Sequence, residues 1–338
     1  MDFGVFDHLD RGNVPLSLYY EARLQLVEMY DQAGFYGYHV AEHHGTPLGM
    51  APSPSVFLAG VAQRTKRLRF GPMVYALPLY HPLRLAEEIC MLDQLSDGRL
   101  EIGFGRGASP LEIDIFGRDP EEAHKIYLES LKIITMALTQ HHLDFEGEFF
   151  SFKDVPVALE PKQLPHPPLW YGMHAVESAE RAGDQDLNVI SLDTSAETRE
   201  MVTAYKNAWS KRYSRSKWPK IGIGRFIVVG ENEEEALNLA RRAYRVWHSS
   251  FNFLFRYRGA AEPRHQRPAE FEAMAEMGRA VAGTPEKVID FLGEEMVQSD
   301  ANYLVGQFAF GDMSSEEVQR SVGLFISEVM PHLSESLR

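Results

Sequence analysis

Leu100-Glu101-Ile102-Gly103-Phe104-Gly105-Arg106-Gly107 alternates large apolar residues with a carboxylate and glycines. Alternation with period two reads as a β-strand whose two faces meet different surroundings. Leu100, Ile102 and Phe104 make one face, suited to a layer of packed helices. Glu101, Gly103 and Gly105 make the other, which leaves room in an interior near the strand's C-terminal end. A helical pattern precedes this strand, with Leu85, Ile89, Leu92 and Leu95 at helical spacing and Gly98 just past the end. A second helix is expected after it, over about 120–138. Strand and helix in this order are the unit from which an α/β barrel is built.

The same unit recurs in both directions. Strands are expected at 2–6, 36–41, 68–75, 169–172, 187–191, 221–229 and 303–310. Helices are expected over 17–33, ending at Gly34, and over about 54–64. Thr284-Pro285-Glu286 starts another: a capping Thr, then a proline where no amide bond is lost. Ser314 and Glu317 form a capping box for the last helix, which places Val318, Val322, Phe325 and Val329 on one face. A hairpin-like insertion is expected around 145–149, and Pro165, Pro167 and Pro168 mark the approach to the fifth strand. The prediction is an α/β chain forming a single (β/α)8 TIM barrel with insertions, one domain over 1–338. No linker divides it, and no repeat of 20–50 residues is visible.

The stretch 245–283 fits no strand and is rich in aromatic residues and arginine, among them Phe251, Phe253, Phe255, Arg256 and Arg258. It reads either as a lid over the barrel mouth or as a packed helical extension or dimer contact.

Composition bounds the function. A chain of 338 residues, 44% hydrophobic and 24% charged, suits one soluble barrel, a fold of typically about 250 residues before its insertions. A net charge of -14 argues against a nucleic-acid partner, because phosphate binding needs a basic face. No apolar run approaches the roughly 18 residues of a membrane span. The lone Cys90 forms no intramolecular disulfide, and Asp2 and Asp7 stand where a signal peptide carries basic residues. Both point to a cytoplasmic protein.

Function in barrels sits at strand C-terminal ends. Glu42-His43-His44 ends the second strand, Gly105-Arg106-Gly107 the fourth, and 172–178 opens the helix after the fifth. Histidine exchanges protons near neutral pH, and an adjacent carboxylate orients it or raises its pKa. Neighbouring strand residues face opposite sides, so only one of His43 and His44 points into the pocket; the bland reading is a structural pair. Arg106, between glycines, suits a phosphate or an ordinary ion pair with Asp114 or Glu112. The Gly172-Met173-His174-Ala175-Val176-Glu177-Ser178 turn offers free amides and a hydroxyl to an anion, and it can share one phosphate with Arg106. The dinucleotide glycine spacing, the phosphate loop and the nucleophile elbow are all missing. A zinc site from His8, His43 and His81 has no supporting spacing.

Taken together, these residues resemble a family. Phe3-Gly4-Val5-Phe6, Ala41-Glu42-His43-His44, Leu77-Pro78 with His81-Pro82, and Ala86-Glu87-Glu88 are similar to the bacterial luciferase-like flavin monooxygenases. So are 92–99 (LDQLSDGR), Gly105-Arg106-Gly107, Gly283-Thr284-Pro285-Glu286 and Val329-Met330-Pro331. The resemblance implies a barrel holding reduced FMN at the strand C-terminal ends. Oxygen adds to the flavin to give a peroxide, which oxygenates a small organic substrate. It implies His43 as the catalytic histidine, Arg106 on the flavin phosphate, and His174, Ala175 and Ser178 on the phosphate loop. Glu42, Gly105 and Met73-Val74, the last at a peptide bond often cis in this family, complete the expected cofactor contacts. Phe6, Tyr75 and Phe251 are expected to wall the substrate pocket. A separate flavin reductase and a homodimer are also implied. Gly105 replaces a reactive cysteine of the luciferase α subunit, and His174 replaces the acidic residue of the phosphate loop. Related barrels use deazaflavin for hydride transfer. That reading, a non-catalytic flavin-binding relative and a metal hydrolase are the alternatives.

Overall fold

The computed structural model describes residues 1–107, 109–215, 217–261 and 266–336. The chain begins β1 (Asp2–Asp7), α1 (Leu16–Ala33), β2 (Gly37–Val40), α2 (Pro54–Arg64), β3 (Arg69–Pro72) and β4 (Tyr75–Ala76). It continues through α3 (Pro82–Leu95), β5 (Ile102–Gly105), α4 (Pro110–Ile115) and α5 (Ala123–Thr139) to the hairpin β6 (His142–Glu146) and β7 (Ser151–Pro156). Next come β8 (Leu169–Gly172), α6 (Val176–Asp184), β9 (Asn188–Ser191), α7 (Ser195–Arg212) and β10 (Ile221–Val229). Then come α8 (Glu233–Phe251), whose end opens the 245–283 insertion, α9 (Phe253–Arg258), α10 (Phe271–Glu276) and β11 (Ala280–Gly283). Last are α11 (Pro285–Ser299), β12 (Tyr303–Gln307), α12 (Ser315–Leu324) and α13 (Met330–Ser336).

The parallel strands run in the order β3-β2-β1-β12-β10-β9-β8-β5-β4. Since β3 and β4 are two parts of one interrupted strand, this path fills eight positions around a barrel. A parallel bridge between Phe70 and Leu100 brings its ends together. A Cβ on Gly71 would fall 1.8 Å from the Glu101 carbonyl oxygen, so glycine is what permits that approach. The (β/α)8 TIM barrel is thus present.

The two faces of the 100–107 stretch divide as the alternation requires. Leu100, Ile102 and Phe104 are buried in the layer between barrel and helices. Glu101 points inward, accepting hydrogen bonds from the Tyr36 hydroxyl, Arg69 Nε and Trp170 Nε1, each at 2.5 Å. Phe6, Met73, Trp170, Ile190, Tyr303 and Val305 pack together in the barrel interior. This plug closes the lower end, so a ligand site can open only at the mouth.

Two expectations need correction. The 245–283 insertion contains a strand after all: Phe226 to Val229 of β10 pair in parallel with Ala280 to Gly283. Four small residues carry no alternation of their own, and the long partner strand dictates their conformation. The Tyr75 side chain does not line the pocket. It is fully buried on the helix side, with its hydroxyl 2.8 Å from Ser55 Oγ.

Candidate active site

At the end of β2, Glu42, His43 and His44 take up different jobs. The Glu42 carboxylate accepts hydrogen bonds from the Ala76 amide at 3.1 Å and the Tyr80 hydroxyl at 2.8 Å, and lies 2.9 Å from His44 Nε2. It is nearly inaccessible, and it ties the β2 end to the segment after β4. His44 turns away toward Phe116, with ring centroids 4.6 Å apart. His43 faces the mouth, where it lines a small cavity with Ser109, Glu112, Phe251 and Leu254.

His43 Nδ1 lies 3.0 Å from Glu112 Oε1, and the His44 amide donates to Glu112 Oε2 at 3.3 Å. Glu112 comes from α4, a short helix started by Ser109-Pro110. Burial works against a charge on His43, yet the Glu112 carboxylate outweighs it and raises the pKa above the ordinary 6.5. On the other side His8 stacks on His43 at 5.7 Å, nearly parallel. Burial first, then the neighbouring His43 and Arg267, holds the His8 pKa well below 6.5. The mouth therefore sets an imidazole that holds its proton against one that stays neutral.

Arg106 is exposed just past β5, and its side chain has no hydrogen bond or ion pair among the described residues. Glu112, one of its candidate partners, is taken by His43, and Asp114 lies near Arg258. β5 and β8 are neighbours in the barrel, so Arg106 and the turn before α6 leave adjacent strand ends. His174 and Ala175 are exposed in that turn, with His174 Nδ1 3.4 Å from Asp193. Ser178 is buried and its hydroxyl donates to the Ala175 carbonyl at 2.7 Å. The first-turn amides of α6 have no carbonyl partner within the helix. The Met73-Val74 peptide bond is cis. Val74 lies against β5, where a Cβ on Gly105 would come 2.3 Å from its Cγ2. Phe6, Met73 and Val74 make an apolar floor.

Sequence reasoning missed Glu112 as the partner of His43, His8 as its stacking neighbour, and a second cavity with Arg267 and Arg279 on its wall. The helix start at Ser109-Pro110 was a usable signal for the first, and the shared parity of Gly4, Phe6 and His8 for the second. The zinc arrangement is not formed. His81 packs against Phe150 and Phe152 of the hairpin, and no group of three metal-binding side chains occurs among the described residues.

A family model described as luciferase-like monooxygenase matches residues 1–302. An uncharacterized protein of Sinorhizobium fredii, y4wF, is 39% identical, covering 97% of this chain and 96% of its own. The oxygenase component of the flavin-dependent trigonelline monooxygenase of Acinetobacter baylyi is 29% identical, covering 99% and 96%. Among solved structures, the monooxygenase RslO1 from Streptomyces bottropensis superposes with a TM-score of 0.88 at 24% identity, covering 98% and 99%. The oxygenating constituent of the Pseudomonas putida 3,6-diketocamphane monooxygenase, in complex with FMN, gives 0.77 at 18% identity, covering 98% of each chain. The coenzyme F420-dependent tetrahydromethanopterin reductase of Methanopyrus kandleri gives 0.65 at 18% identity, covering 98% and 99%. At these identities the structural likeness establishes the fold alone.

Proposed function

Since the chain belongs to the luciferase-like monooxygenase family, we propose that it is the oxygenase component of a two-component flavin monooxygenase. It takes reduced FMN from a separate flavin reductase and uses dioxygen to oxygenate a small organic substrate. The observation that carries this reading is the His43–Glu112 pair at the mouth, two barrel positions from Arg106, whose side chain has no partner among the described residues.

The residues fit the cofactor. Arg106 and the α6 amides would hold the phosphate, a charge-assisted arrangement for an anion. The exposed Ala175 backbone and the His174 ring lie beside it, while Ser178 shapes the turn through its bond to Ala175. Phe6, Met73 and Val74 offer the ring an apolar bed, and Gly105 makes the room in which Val74 lies. Bound reduced flavin supplies the two electrons that dioxygen needs. With Nδ1 engaged by Glu112, His43 holds and moves a proton at Nε2. Glu42 positions His43 through the β2 end, its carboxylate held by the Ala76 amide, the Tyr80 hydroxyl and His44. Phe251, with Phe6 and Met73, excludes water from the reacting groups.

Anaerobic titration with reduced FMN, followed by rapid mixing with oxygenated buffer, tests the reading. Saturable binding and an oxidation rate that depends on His43 are expected. The family's fold also serves F420-dependent enzymes, so the same titration is run with reduced deazaflavin. Tight deazaflavin binding with no binding of reduced FMN would overturn the proposal. A His43→Ala variant with wild-type product formation would favour a flavin-binding protein without catalysis.

The chain works as a homodimer in the cytoplasm on this reading. Exposed Val56 on α2, Met91 and Leu95 on α3, and Leu128 on α5 offer an apolar face, and no helix among the described residues is long and apolar enough to cross a membrane.

A further inference from the structure

Beside the His43 cavity lies a second one, of about 60 Å³, lined by His8, Phe226, Trp247, Phe251, Arg267 and Arg279 among others. Phe251 lines both cavities, and His8 stacks on His43 across the divide. Its walls are aromatic: Trp247 stacks on Phe251 at 5.2 Å and meets the edge of Phe226 at 4.9 Å.

Two buried donors in this lining have no hydrogen-bond acceptor among the described residues. Arg279 is 6% exposed; its Nε donates to the Leu192 carbonyl at 2.8 Å, but Nη2 has no hydrogen-bond partner among the described residues. That Nη2 makes an ion pair with Asp193 at 3.6 Å, too long for a hydrogen bond. Trp247 is 2% exposed and its indole Nε1 is likewise unpartnered. Buried donors without acceptors are rare in folded proteins, because each forfeits its hydration. Arg267 adds a second guanidinium. Its main chain is held in place by His248, whose Nε2 lies 3.0 Å from the Arg267 carbonyl, and by the Tyr244 hydroxyl bonded to Pro268. Burial first, then repulsion from Arg279, lowers the Arg267 pKa to about 10, so it remains charged near neutrality.

The other titratable groups here are His8, kept neutral by burial, Tyr244, whose hydroxyl is bonded to Pro268, Asp193, shared with His174, Glu197, held in its own capping box, and Arg225, paired with Glu295. Asp193 is the one carboxylate within ion-pair distance of Arg279, Glu197 acts on it only at longer range, and Arg267 has no ion pair of its own among the described residues. An oxyanion would give the idle donors an acceptor and Arg267 a close counter-charge.

We infer that Arg279, Arg267 and the Trp247 indole form an anion subsite that holds the carboxylate of an aromatic or otherwise apolar carboxylic acid, the substrate class of this enzyme. The inference rests on the proposed function for the word substrate. The ring of such an acid lies along Phe251, which carries its far end toward His43. The flavin phosphate is the other oxyanion at hand. Its site lies at the ends of β5 and β8, whereas this subsite is walled by the ends of β1, β9, β10 and β12 and by the insertion; Asp193 stands between them, 3.4 Å from His174 and 3.6 Å from Arg279.

Calorimetric titration of the full chain with benzoate, nicotinate and hexanoate tests the subsite, with benzyl alcohol and inorganic phosphate as controls. At least one acid is expected to bind saturably, and benzyl alcohol far more weakly. Arg279→Gln should weaken that acid by about tenfold to a hundredfold, the scale of a lost charge-assisted bond. Arg267→Gln should weaken it in the same direction. Since Arg279 also supports Leu192, thermal melts accompany the variants, and Arg279→Lys, which keeps the charge, should restore part of the affinity. Reduced-FMN affinity should be unchanged in Arg279→Gln. The inference is overturned if none of the acids binds the wild type, or if both glutamine variants bind as wild type does. Benzyl alcohol binding equally well would also overturn it. Loss of FMN or phosphate binding in Arg279→Gln would instead assign the arginines to the flavin phosphate. Because acid and flavin are titrated separately, failure of FMN to bind the wild type would refute the proposed function and leave the anion subsite standing.

Discussion

His43 and His8 stack face to face, yet their environments drive their protons apart. Glu112 decides the difference, since it sits on His43 Nδ1 and not on His8. In Glu112→Gln the larger coulombic support is gone, only the weaker pull of Glu42 remains against burial, and the His43 pKa should fall. The sign follows directly: wild-type His43 stays protonated above pH 6.5 and loses the proton as pH rises through its raised pKa, and the variant loses it earlier. NMR titration of the ring checks this, and an unmoved midpoint would remove Glu112 from the role. His43→Ala should slow substrate oxygenation by roughly 10²–10⁴-fold if the ring moves a proton in the rate-limiting step. Stopped-flow rates equal to wild type would refute that. Arg106→Ala should weaken reduced-FMN binding by about 1.5–3 kcal/mol, and an unchanged titration would take Arg106 out of the phosphate site. His43 and Arg106 were legible because strand ends in a barrel are where ligand groups gather. The Tyr75 side chain was not: the strand breaks between Pro72 and Tyr75, so counting faces through the break puts it on the wrong side, while Met73 faces inward as expected. Glu112 was hidden for another reason. It pairs with a residue 69 positions away, and a contact of that range leaves no local trace.

The insertion is the element whose behaviour matters most. The end of α8 and the start of α9 bring Phe251, Leu254 and Phe255 against the His43 cavity, which measures about 40 Å³. Neither this cavity nor its neighbour of about 60 Å³ holds a three-ring isoalloxazine, since ligand pockets for molecules of that size run to about 300 Å³ or more. If FMN binds at the mouth, α8 and α9 must yield at Phe251 and Leu254, which is the lid behaviour one reading of the sequence anticipates. Amide hydrogen exchange over 245–258 should therefore change when reduced FMN binds, while the barrel strands stay protected. FMN binding with exchange over 245–258 unaltered would show the insertion to be a fixed wall. The aromatic and arginine content of this stretch was plain in the sequence, but its division into helices and a strand was not. Trp247, Phe271 and Met274 pack against Phe226 and Phe310 from the barrel, so tertiary contacts shape this segment more than any period of its own.

At the scale of the whole molecule, the fold was readable because a barrel repeats one local pattern, strand then helix, and each copy announces itself by alternation and caps. What surrounds the barrel is less readable, since surface apolar residues are common and carry no pattern. Val56 is 75% exposed, Met91 54%, and Leu95 and Leu128 52% each. Singly these are unremarkable, but they stand on α2, α3 and α5, and α3 packs against both of its neighbours. Apolar groups gathered on adjoining helices mark an interaction face, and in a homodimer the same face on each subunit can cover the other. Light scattering after size exclusion should then report twice the 38.4 kDa of one chain. Met91→Glu with Leu95→Glu should return the mass to that of a single chain with the circular dichroism unchanged, because both side chains point to solvent and contribute little to the core. A wild type that runs at single-chain mass would show that this face has no copy of itself as partner. A double variant that remains dimeric would move the contact to another surface.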